Sequence, residues 1–436
     1  SVDDRDPAAN VCVLSGDLSG DDGPAFANRT DNSRHVLVAS GTTGAAVLDG
    51  FTISGGNADT ELAHGRSGGG LYAFSGDLSL RNCRFTDNLA GWVAGGRGTG
   101  GGAYFAWGSN PQVVDCGFDN NRAVVAGAVA IEGETSSLTM TDSSFRSNSA
   151  GYAGAIYAAR YSTVSGTNLS FERNTSDDGG AVAGEFFATY LLTNCLFANN
   201  ISADSSGAIE MYNNSTLTLT NCTLTGNIAA TRGGAIGAFY SSPVTINNSI
   251  LSGNTAPQGS NLFSGFLLSG GVPTSVTVRS SDIVGGQASI VRQNGTTLTY
   301  GAENINANPL FVDAAGGNFR LLPGSPAIDA ASNLLLLPAI VTDFDGAARF
   351  VDDPNATDTG VAGGTGGAAI TDMGAFEWQI PPCPADFNGD GGVDGDDVIG
   401  FFAAWDAGDI AADFTGDGSV DGDDVIGFFA NWDAGC

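Results

Sequence analysis

The 436-residue sequence predicts an all-β fold, a parallel β-helix, followed by a small α-helical module. Three observations support this prediction. One phrase recurs between residues 69 and 254 with a period of 26 or 27, after a first interval of 32 or 33. The pieces inside each period alternate apolar and polar residues, which is typical of strands. Near the end, an acidic loop occurs twice, each time before an apolar segment with helical spacing.

Two independent markers define the repeat. The first is one asparagine per period, preceded by Phe or Leu, and the second is a glycine that opens a short apolar strand. The asparagines are Asn88, Asn121, Asn148, Asn174, Asn200, Asn227 and Asn254. The glycines are Gly69, Gly101, Gly127, Gly154, Gly180, Gly207 and Gly234. Because both markers keep the same period, they indicate the coils of a solenoid.

Stacked coils place equivalent residues in rows about 4.8 Å apart. We therefore expect the asparagines to form a ladder in which side-chain amides satisfy one another and the backbone. The residues two positions after each marker glycine should form an inward aliphatic stack. They are Leu71, Ala103, Val129, Ile156, Val182, Ile209 and Ile236.

The motifs resemble a known family, the right-handed parallel β-helix proteins of bacterial surfaces, which are pectate-lyase-like solenoids. "VLDGFTISGGNA" (47–58) and "SGGGLYAF" (67–74) look like the entry to their repeats. "GSPAIDAA" (324–331), "TDFDGAARF" (342–350) and "DMGAFEW" (372–378) resemble the region called choice-of-anchor Q. The resemblance implies a right-handed β-helix over residues 1–300 and a cap or anchor-like region over 301–380. Relatives carry an N-terminal cap before "LSGD" (14–17), so we expect an open sheet edge here.

The charge balance limits the partners. With 47 acidic and 16 basic residues the net charge is −31, which argues against nucleic-acid and anionic-membrane partners. No apolar run reaches the 18 or so residues of a membrane span. The chain opens on the polar SVDDRDPAAN and not on a signal peptide, so we expect either a mature chain or one from which processing has removed more than a signal. The acidic balance suits an extracellular, cation-binding protein.

The acidic tail carries the most specific chemistry. "DFNGDGGVDGDD" (386–397) and "DFTGDGSVDGDD" (413–424) have the oxygen-ligand spacing of a calcium loop, with ligands at positions 1, 3, 5, 7, 9 and 12. The sequence therefore predicts two Ca²⁺ ions. The first set of ligands is Asp386, Asn388, Asp390, the Gly392 carbonyl, Asp394 and Asp397. The second is Asp413, Thr415, Asp417, the Ser419 carbonyl, Asp421 and Asp424.

Each loop precedes an apolar helix, "DDVIGFFAAW" (396–405) and "DDVIGFFANW" (423–432). A duplicated loop and helix closed by Asp resembles a dockerin, which implies a calcium module over residues 383–436 with a cohesin-like or cell-surface partner. The chain departs from the dockerin pattern at positions 10 and 11, where dockerins usually place hydroxyl or other recognition residues and this sequence has Gly395-Asp396 and Gly422-Asp423.

The cysteines fall into two groups. Cys383 and Cys436 bracket the acidic tail, and a disulfide between them would staple this small module, as in GC-type dockerin-like anchors. Cys83, Cys116, Cys195 and Cys222 occupy one position in their coils and are expected to be buried thiols. A disulfide between stacked partners is the alternative, and Cys12 has no evident partner.

The sequence assigns no catalytic residue. It has no Lys, two His, and none of the motifs of polygalacturonase-like enzymes. The remaining candidates lie outward on the strand after each glycine: Glu132, Glu185 and Glu210, with Arg160, Tyr157 and Tyr212 nearby. The favoured interpretation is a solvated or interface face, and whether the protein is an enzyme stays open.

The leading hypothesis is a secreted or cell-surface bacterial structural protein. Its rigid rod would self-assemble into a fibre or surface layer through open β-helix ends, the calcium module or both. The first alternative is a polysaccharide lyase or glycoside hydrolase tethered by the dockerin-like module. The second is a glycan-binding adhesin.

Overall fold

The computed structural model describes residues 9–44, 46–59, 66–91, 97–265, 273–293, 295–379, 383–389 and 392–434. The chain divides into two compact units, Ser1–Trp378 and Gln379–Cys436.

Three ten-stranded parallel sheets dominate the first unit. Sheet 1 contains Cys12–Ser15, Phe51–Ser54, Arg84–Thr86, Gly117–Asp119, Ser144–Arg146, Ser170–Glu172, Leu196–Ala198, Thr223–Thr225, Ile250–Ser252 and Asp282–Ile283. Sheet 2 contains Leu37–Ser40, Leu71–Phe74, Ala103–Ala106, Val129–Glu132, Ile156–Ala159, Val182–Glu185, Ile209–Met211, Ile236–Phe239, Leu262–Gly265 and Ile290–Arg292. Sheet 3 contains Ala46–Asp49, Leu78–Arg81, Gln112–Val114, Ser137–Thr141, Thr163–Thr167, Thr189–Thr193, Thr216–Thr220, Val244–Asn247, Ser275–Arg279 and Thr297–Tyr300.

Shorter elements complete the structure. Two three-stranded parallel sheets are formed by Asn57–Ala58, Leu89–Ala90 and Arg122–Ala123, and by Thr175–Ser176, Ile201–Ser202 and Ile228–Ala229. Phe311–Asp313 pairs antiparallel with Asn318–Leu321. The 3-10 turns are Pro24–Phe26, Gly286–Ser289, Asn333–Leu335, Gly364–Gly366 and Ile410–Ala412. The α-helices are α1, Gly395–Ala407, and α2, Gly422–Ala434.

Each coil contributes one strand to each large sheet, and the strands pair in register. Ile156 pairs with Val182, and Val182 pairs with Ile209, one period further along the chain. All seven members of the predicted aliphatic stack are buried inside the solenoid. The predicted parallel β-helix is therefore confirmed.

The asparagine ladder is confirmed at every step from Asn88 to Asn254. Asn174 shows the pattern. Its Nδ2 donates to the Phe145 carbonyl and to Asn200 Oδ1, both at 3.0 Å. Its Oδ1 accepts from the backbone N–H of Asn148 at 3.0 Å and from the Asn148 amide at 3.1 Å. These buried amides thus join successive coils with every polar group paired, as burial requires.

A second row consists of stacked phenylalanine rings. Ring centroids of neighbours lie 4.4–5.0 Å apart and the planes are within 10° of parallel. The rings belong to Phe85, Phe118, Phe145, Phe171 and Phe197. The row is fully buried and continues as Leu224 and Leu251.

The marker glycines have a steric cause. A Cβ on Gly180 would overlap the carbonyl oxygen of Gly207, and the same clash with the next coil occurs at Gly127, Gly154 and Gly207. The coils approach each other here too closely for any side chain. The glycine period in the sequence is therefore a packing requirement.

The cysteine row is also as predicted, because Cys83, Cys116, Cys195 and Cys222 are buried free thiols. Cys12 is exposed and free.

Residues 302–378 cover one side of the β-helix. Gly374 N–H donates to the Asn248 carbonyl at 2.8 Å, and Ala375 N–H donates to Thr223 Oγ1 at 3.0 Å. Phe319 and Phe376 lie in one apolar cluster with the sheet 1 strand Leu196–Ala198. This segment therefore buries the outer face of sheet 1 over the later coils, which the sequence did not predict.

A buried ion pair fixes that segment. Arg349 Nη1 lies 3.3 Å from Glu377 Oε2, and Arg349 Nη2 donates to Asn194 Oδ1 at 2.7 Å. Burial raises the pKa of Glu377 to about 7, and the Arg349 charge opposes this. Removing one partner of such a pair would leave an uncompensated buried charge.

The second unit has an aromatic core built from the two sequence repeats. Phe401 of α1 stacks on Phe428 of α2, with ring centroids 4.3 Å apart. Phe387 and Phe414, which precede the helices at equivalent positions, contact Phe401 edge-on. Helix α1 begins with a capping box between Asp394 and Asp397.

Candidate functional site

The second acidic loop, residues 413–424, is described in full and is closed by hydrogen bonds. Asp413 at position 1 accepts the backbone N–H groups of Asp417 at 3.2 Å and Gly418 at 2.8 Å. Gly418 at position 6 has φ +89°, a conformation that favours glycine. The sharp turn predicted for this position is therefore present.

The aspartate at position 12 accepts backbone hydrogen bonds from equivalent residues in both loops. The carboxylate of Asp424 is buried and accepts N–H groups from Thr415 at 3.0 Å and Asp421 at 2.7 Å. Asp397 accepts N–H groups from Asn388 at 3.0 Å and Asp394 at 2.8 Å. The first loop therefore has the same frame, although Asp390 lies outside the described residues.

These hydrogen bonds keep the closing carboxylates ionised. The backbone N–H groups of Asn388 and Asp394 lower the pKa of Asp397. The N–H groups of Asp421 and Thr415 lower the pKa of Asp424 in the same way. Both side chains are therefore anionic at neutral pH, which is the form that binds a cation.

The loops offer oxygen donors of the type that calcium prefers, namely carboxylates, a hydroxyl and a carbonyl. In the second loop the side chains bond mainly to the loop backbone. Thr415 Oγ1 donates to Asp424 Oδ1 at 3.0 Å, and Asp417 accepts from Ser419 N–H at 2.8 Å. Within the described chain, three carboxylates with oxygens mutually within 4.8 Å occur at two other places, in the first unit. The oxygen donors of the loops therefore fit calcium. The binding of two calcium ions, one in each loop, remains a prediction.

The two helices expose matching apolar side chains. Ile399 in α1 and Ile426 in α2 are 27 residues apart, and each is 68% exposed. Cys383 is disulfide-bonded, and Cys436, its predicted partner, lies outside the described residues.

A carboxylate–tyrosine cluster lies on the outer face of sheet 2, formed by Glu132, Glu185, Glu210, Tyr152 and Tyr157. Tyr157 Oη donates to Glu185 Oε2 at 2.9 Å, and the rings of Tyr152 and Tyr157 meet edge-on at 5.7 Å. The register places Glu132 two strands from Glu185, so the candidate glutamates are brought onto one face.

The side chain of Glu210 is only 4% exposed. The prediction that this face is solvated is therefore wrong at Glu210. Its Oε2 accepts from Ser206 Oγ at 2.9 Å and from Ser205 Oγ at 3.2 Å, and Tyr152 also hydrogen-bonds to it. Burial and the nearby charge of Asp178 raise the pKa of Glu210 to about 8. Glu210 is therefore largely protonated at neutral pH and can donate a proton.

The other predicted members of this face lie at its margins. Arg160 is mostly exposed, and its Nε lies 3.6 Å from Glu132 Oε2. Burial raises the pKa of Glu132, and the charge of Arg160 opposes this. Tyr212 meets the ring of Tyr240 edge-on at 4.7 Å. Tyr152 was missed, because its position two residues before a marker glycine carries no distinct sequence signal.

A groove of about 680 Å³ lies on the outer face of sheet 1, over the early coils that residues 302–378 leave uncovered. Its floor includes Gly117, and its walls include Arg84, Asp119 and Arg146. Arg84 Nε lies 2.9 Å from Asp119 Oδ2. The sequence did not predict this groove, because neither the charged residues nor Gly117 form a motif.

The described helices include none with both the length and the apolar character needed to cross a membrane.

The chain matches the family model described as right handed beta helix region over residues 25–176. No curated protein matches the chain. The match and the three long parallel sheets together support a right-handed β-helix repeat fold for the first unit.

Proposed function

We propose that this protein is a secreted structural protein of a bacterial surface, a rigid rod that assembles into a fibre or surface layer through its calcium-binding C-terminal module. The duplicated acidic loop carries the proposal, because it has ligand-specific chemistry. Both loops use a hydrogen-bonded aspartate at position 12, and both lead into a helix. A strongly acidic chain is also suited to taking up cations outside the cell.

The β-helix supplies the rod. The continuous rows of asparagines and phenylalanines couple each coil to the next, so bending between coils would break buried hydrogen bonds. The last strand of sheet 3, Thr297–Tyr300, pairs on one side and alternates exposed and half-buried residues. Such an edge can accept a strand from another chain.

The C-terminal module supplies a docking surface. Calcium would draw the loop carboxylates together and fix the start of each helix, and so order the exposed Ile399 and Ile426. Two matching apolar side chains on a duplicated module favour a symmetric partner. A second copy of the chain is the occupant that we propose, and a cohesin-like protein is the alternative.

The test is the molar mass of the full chain by light scattering, in calcium and in chelator. We expect higher-order species in calcium that dissociate on chelation. The double variant Asp397→Asn/Asp424→Asn should stay monomeric in both. Its matched control is Asp406→Asn/Asp433→Asn, which changes exposed helix aspartates at equivalent positions and should assemble normally. Monomers of the wild type in calcium would refute assembly through this module.

A second candidate is a polysaccharide-cleaving enzyme, favoured by the carboxylate–tyrosine cluster. Glycoside hydrolysis uses a pair of carboxyl groups, one of which acts as the general acid. Two strand spacings separate Glu132 from Glu185 by about 9–10 Å, near the upper limit for an inverting pair. Glu210 would be the acid in an alternative pair with Glu185.

A panel of uronate and neutral glycans tests this candidate. Cleavage that is lost in Glu185→Gln and Glu210→Gln, and kept in the exposed control Glu303→Gln, would establish it. Saturable binding without product would instead indicate a glycan-binding adhesin.

A further inference from the structure

Among the buried carboxylates of residues 302–378, that of Asp329 stands where three stretches of the segment meet. The Asp329 N–H donates to Asp372 Oδ1 at 2.8 Å, and its carbonyl accepts from Thr359 N–H at 3.1 Å and Gly360 N–H at 3.0 Å. Its Oδ2 accepts from Asp353 N–H at 3.1 Å. Asp329 is thus held from several sides, with its side chain fixed.

The other carboxylate oxygen has no partner. Asp329 Oδ1 is buried and makes no hydrogen bond with any described residue. A buried carboxylate oxygen without a partner loses its hydration and gains nothing in return, so native proteins rarely leave one unpaired. Its burial therefore indicates a ligand.

Two further carboxylates converge on Asp329. One oxygen from each of Asp329, Asp352 and Asp358 lies within 4.8 Å of the other two. Asp352 and Asp358 are exposed, so the group opens to solvent on one side. Three carboxylates this close repel one another, and a bound cation removes that repulsion.

We propose that Asp329, Asp352 and Asp358 bind a calcium ion at a site separate from the two acidic loops. Calcium binds oxygens at 2.3–2.6 Å, so ligands on opposite sides of the ion lie about 5 Å apart. Magnesium requires near-ideal octahedral geometry at 2.0–2.1 Å, whereas calcium accepts irregular shells of six to eight oxygens. Three oxygens within 4.8 Å of one another can share a calcium ion, and water completes the shell on the open side.

The other three-carboxylate group is Asp17, Asp21 and Asp31. It has no buried carboxylate oxygen that lacks a hydrogen-bond partner. Asp17 Oδ1 accepts N–H groups from Gly20 and Asp21, and Asp31 Oδ2 accepts from Ser19. These carboxylates cap their own loop, so the group needs no ion.

The site would stabilise the covering segment. Asp358 precedes the two N–H groups that bond to the Asp329 carbonyl, and Asp352 precedes the N–H that bonds to its side chain. An ion at this point closes the loop 352–360 onto Asp329. The N–H of Asp329 in turn holds the carboxylate of Asp372 in place. The other oxygen of that carboxylate accepts a hydrogen bond from Trp378 N–H at 2.6 Å.

The experiment counts calcium ions bound to the full chain by native mass spectrometry and calorimetry. The background is a quadruple loop variant, Asp386→Ala/Asp397→Asn/Asp413→Ala/Asp424→Asn. We expect three ions on the wild type and one on the background. Adding Asp358→Asn should remove the last ion, while adding Asp345→Asn, an exposed aspartate paired with Arg320, should not.

Asp358 is exposed, so its variant should fold, and circular dichroism checks this. Calcium should raise the melting temperature of the background and of its Asp345→Asn derivative, and leave the Asp358→Asn derivative unchanged. A background that binds no calcium, or an ion retained in Asp358→Asn, would overturn the site. Failure of the acidic loops would appear differently, as equal counts for wild type and background.

Discussion

At the scale of single residues, an asparagine inside the ladder links its coil to both neighbouring coils by hydrogen bonds, which few other side chains can do. An amide offers both a donor and an acceptor, so one residue can bond to the coils before and after it. Asn174 makes four such side-chain contacts, all buried. The row could be predicted from the sequence because the same hydrogen-bonding role recurs at the same position of each coil.

The first prediction concerns Asn174→Ala. It removes the acceptor of the buried Asn148 N–H and a donor to the Phe145 carbonyl, and a buried group left unpaired costs about 1–3 kcal/mol. We expect the free energy of unfolding to fall by about 2–5 kcal/mol, measured by urea denaturation followed by circular dichroism. Asn110→Ala, an exposed surface asparagine, is the control and should change it by less than about 1 kcal/mol. Equal losses in the two variants would contradict the role of the ladder.

The second prediction concerns pH. The pKa of Glu210 is raised from 4.5 to about 8 in the folded protein, so the folded state binds the proton more tightly than the unfolded chain. Its contribution to stability is complete below pH 4.5 and is lost as the pH rises toward 8, at up to about 1.4 kcal/mol per pH unit.

Glu210→Gln keeps a neutral hydrogen-bonding side chain and removes this titration. We expect unfolding midpoints measured between pH 5 and pH 8 to fall less steeply in the variant than in the wild type. Parallel pH profiles for the two proteins would show that Glu210 is not protonated in the folded state.

At the scale of elements, the rows tolerate only certain replacements. The phenylalanine row ends in Leu224 and Leu251, so Leu fits the same space. Phe145→Ala removes stacking on Phe118 and Phe171 and leaves a cavity, which should cost about 3–5 kcal/mol. Phe145→Leu should cost no more than about 1.5 kcal/mol. Thermal unfolding of the two variants checks this order, and a Leu variant as unstable as the Ala variant would contradict it.

The glycine row gives a steric prediction. Gly180→Ala places a methyl group against the Gly207 carbonyl and should separate two coils. Gly44→Ala meets no atom within 4 Å and is the matched control. We expect a markedly lower melting temperature or no soluble protein for Gly180→Ala, and an unchanged melting temperature for Gly44→Ala. Two equally stable variants would mean that the coils can move apart without cost.

The sequence predicted elements well where a period existed and poorly where none did. The strands, the ladder asparagines and the marker glycines repeat with each coil, so each unit supports the prediction of the others. Residues 302–378 contact coils about 84 to 155 positions away, through pairs such as Asn248 with Ser332 and Asn194 with Arg349. No local pattern encodes such contacts. The burial of Glu210 was missed because Ser205, Ser206 and Tyr152, which contact it, lie outside its strand.

At the scale of the whole molecule, the two units are stabilised by different kinds of interaction. The first unit is held by buried hydrogen bonds and stacked rings, and the second by a small aromatic core between acidic loops. Carboxylates of the acidic loops repel one another at low ionic strength, so we expect the second unit to depend on cations more than the first. The proposed control of assembly by calcium rests on this expectation.

The central claim is that calcium at the C-terminal module joins rigid rods. Electron microscopy of the full chain, in calcium and in chelator, tests it most directly. We expect ordered filaments or arrays of straight rods in calcium, and dispersed straight rods after chelation. Dispersed rods under both conditions would contradict the claim.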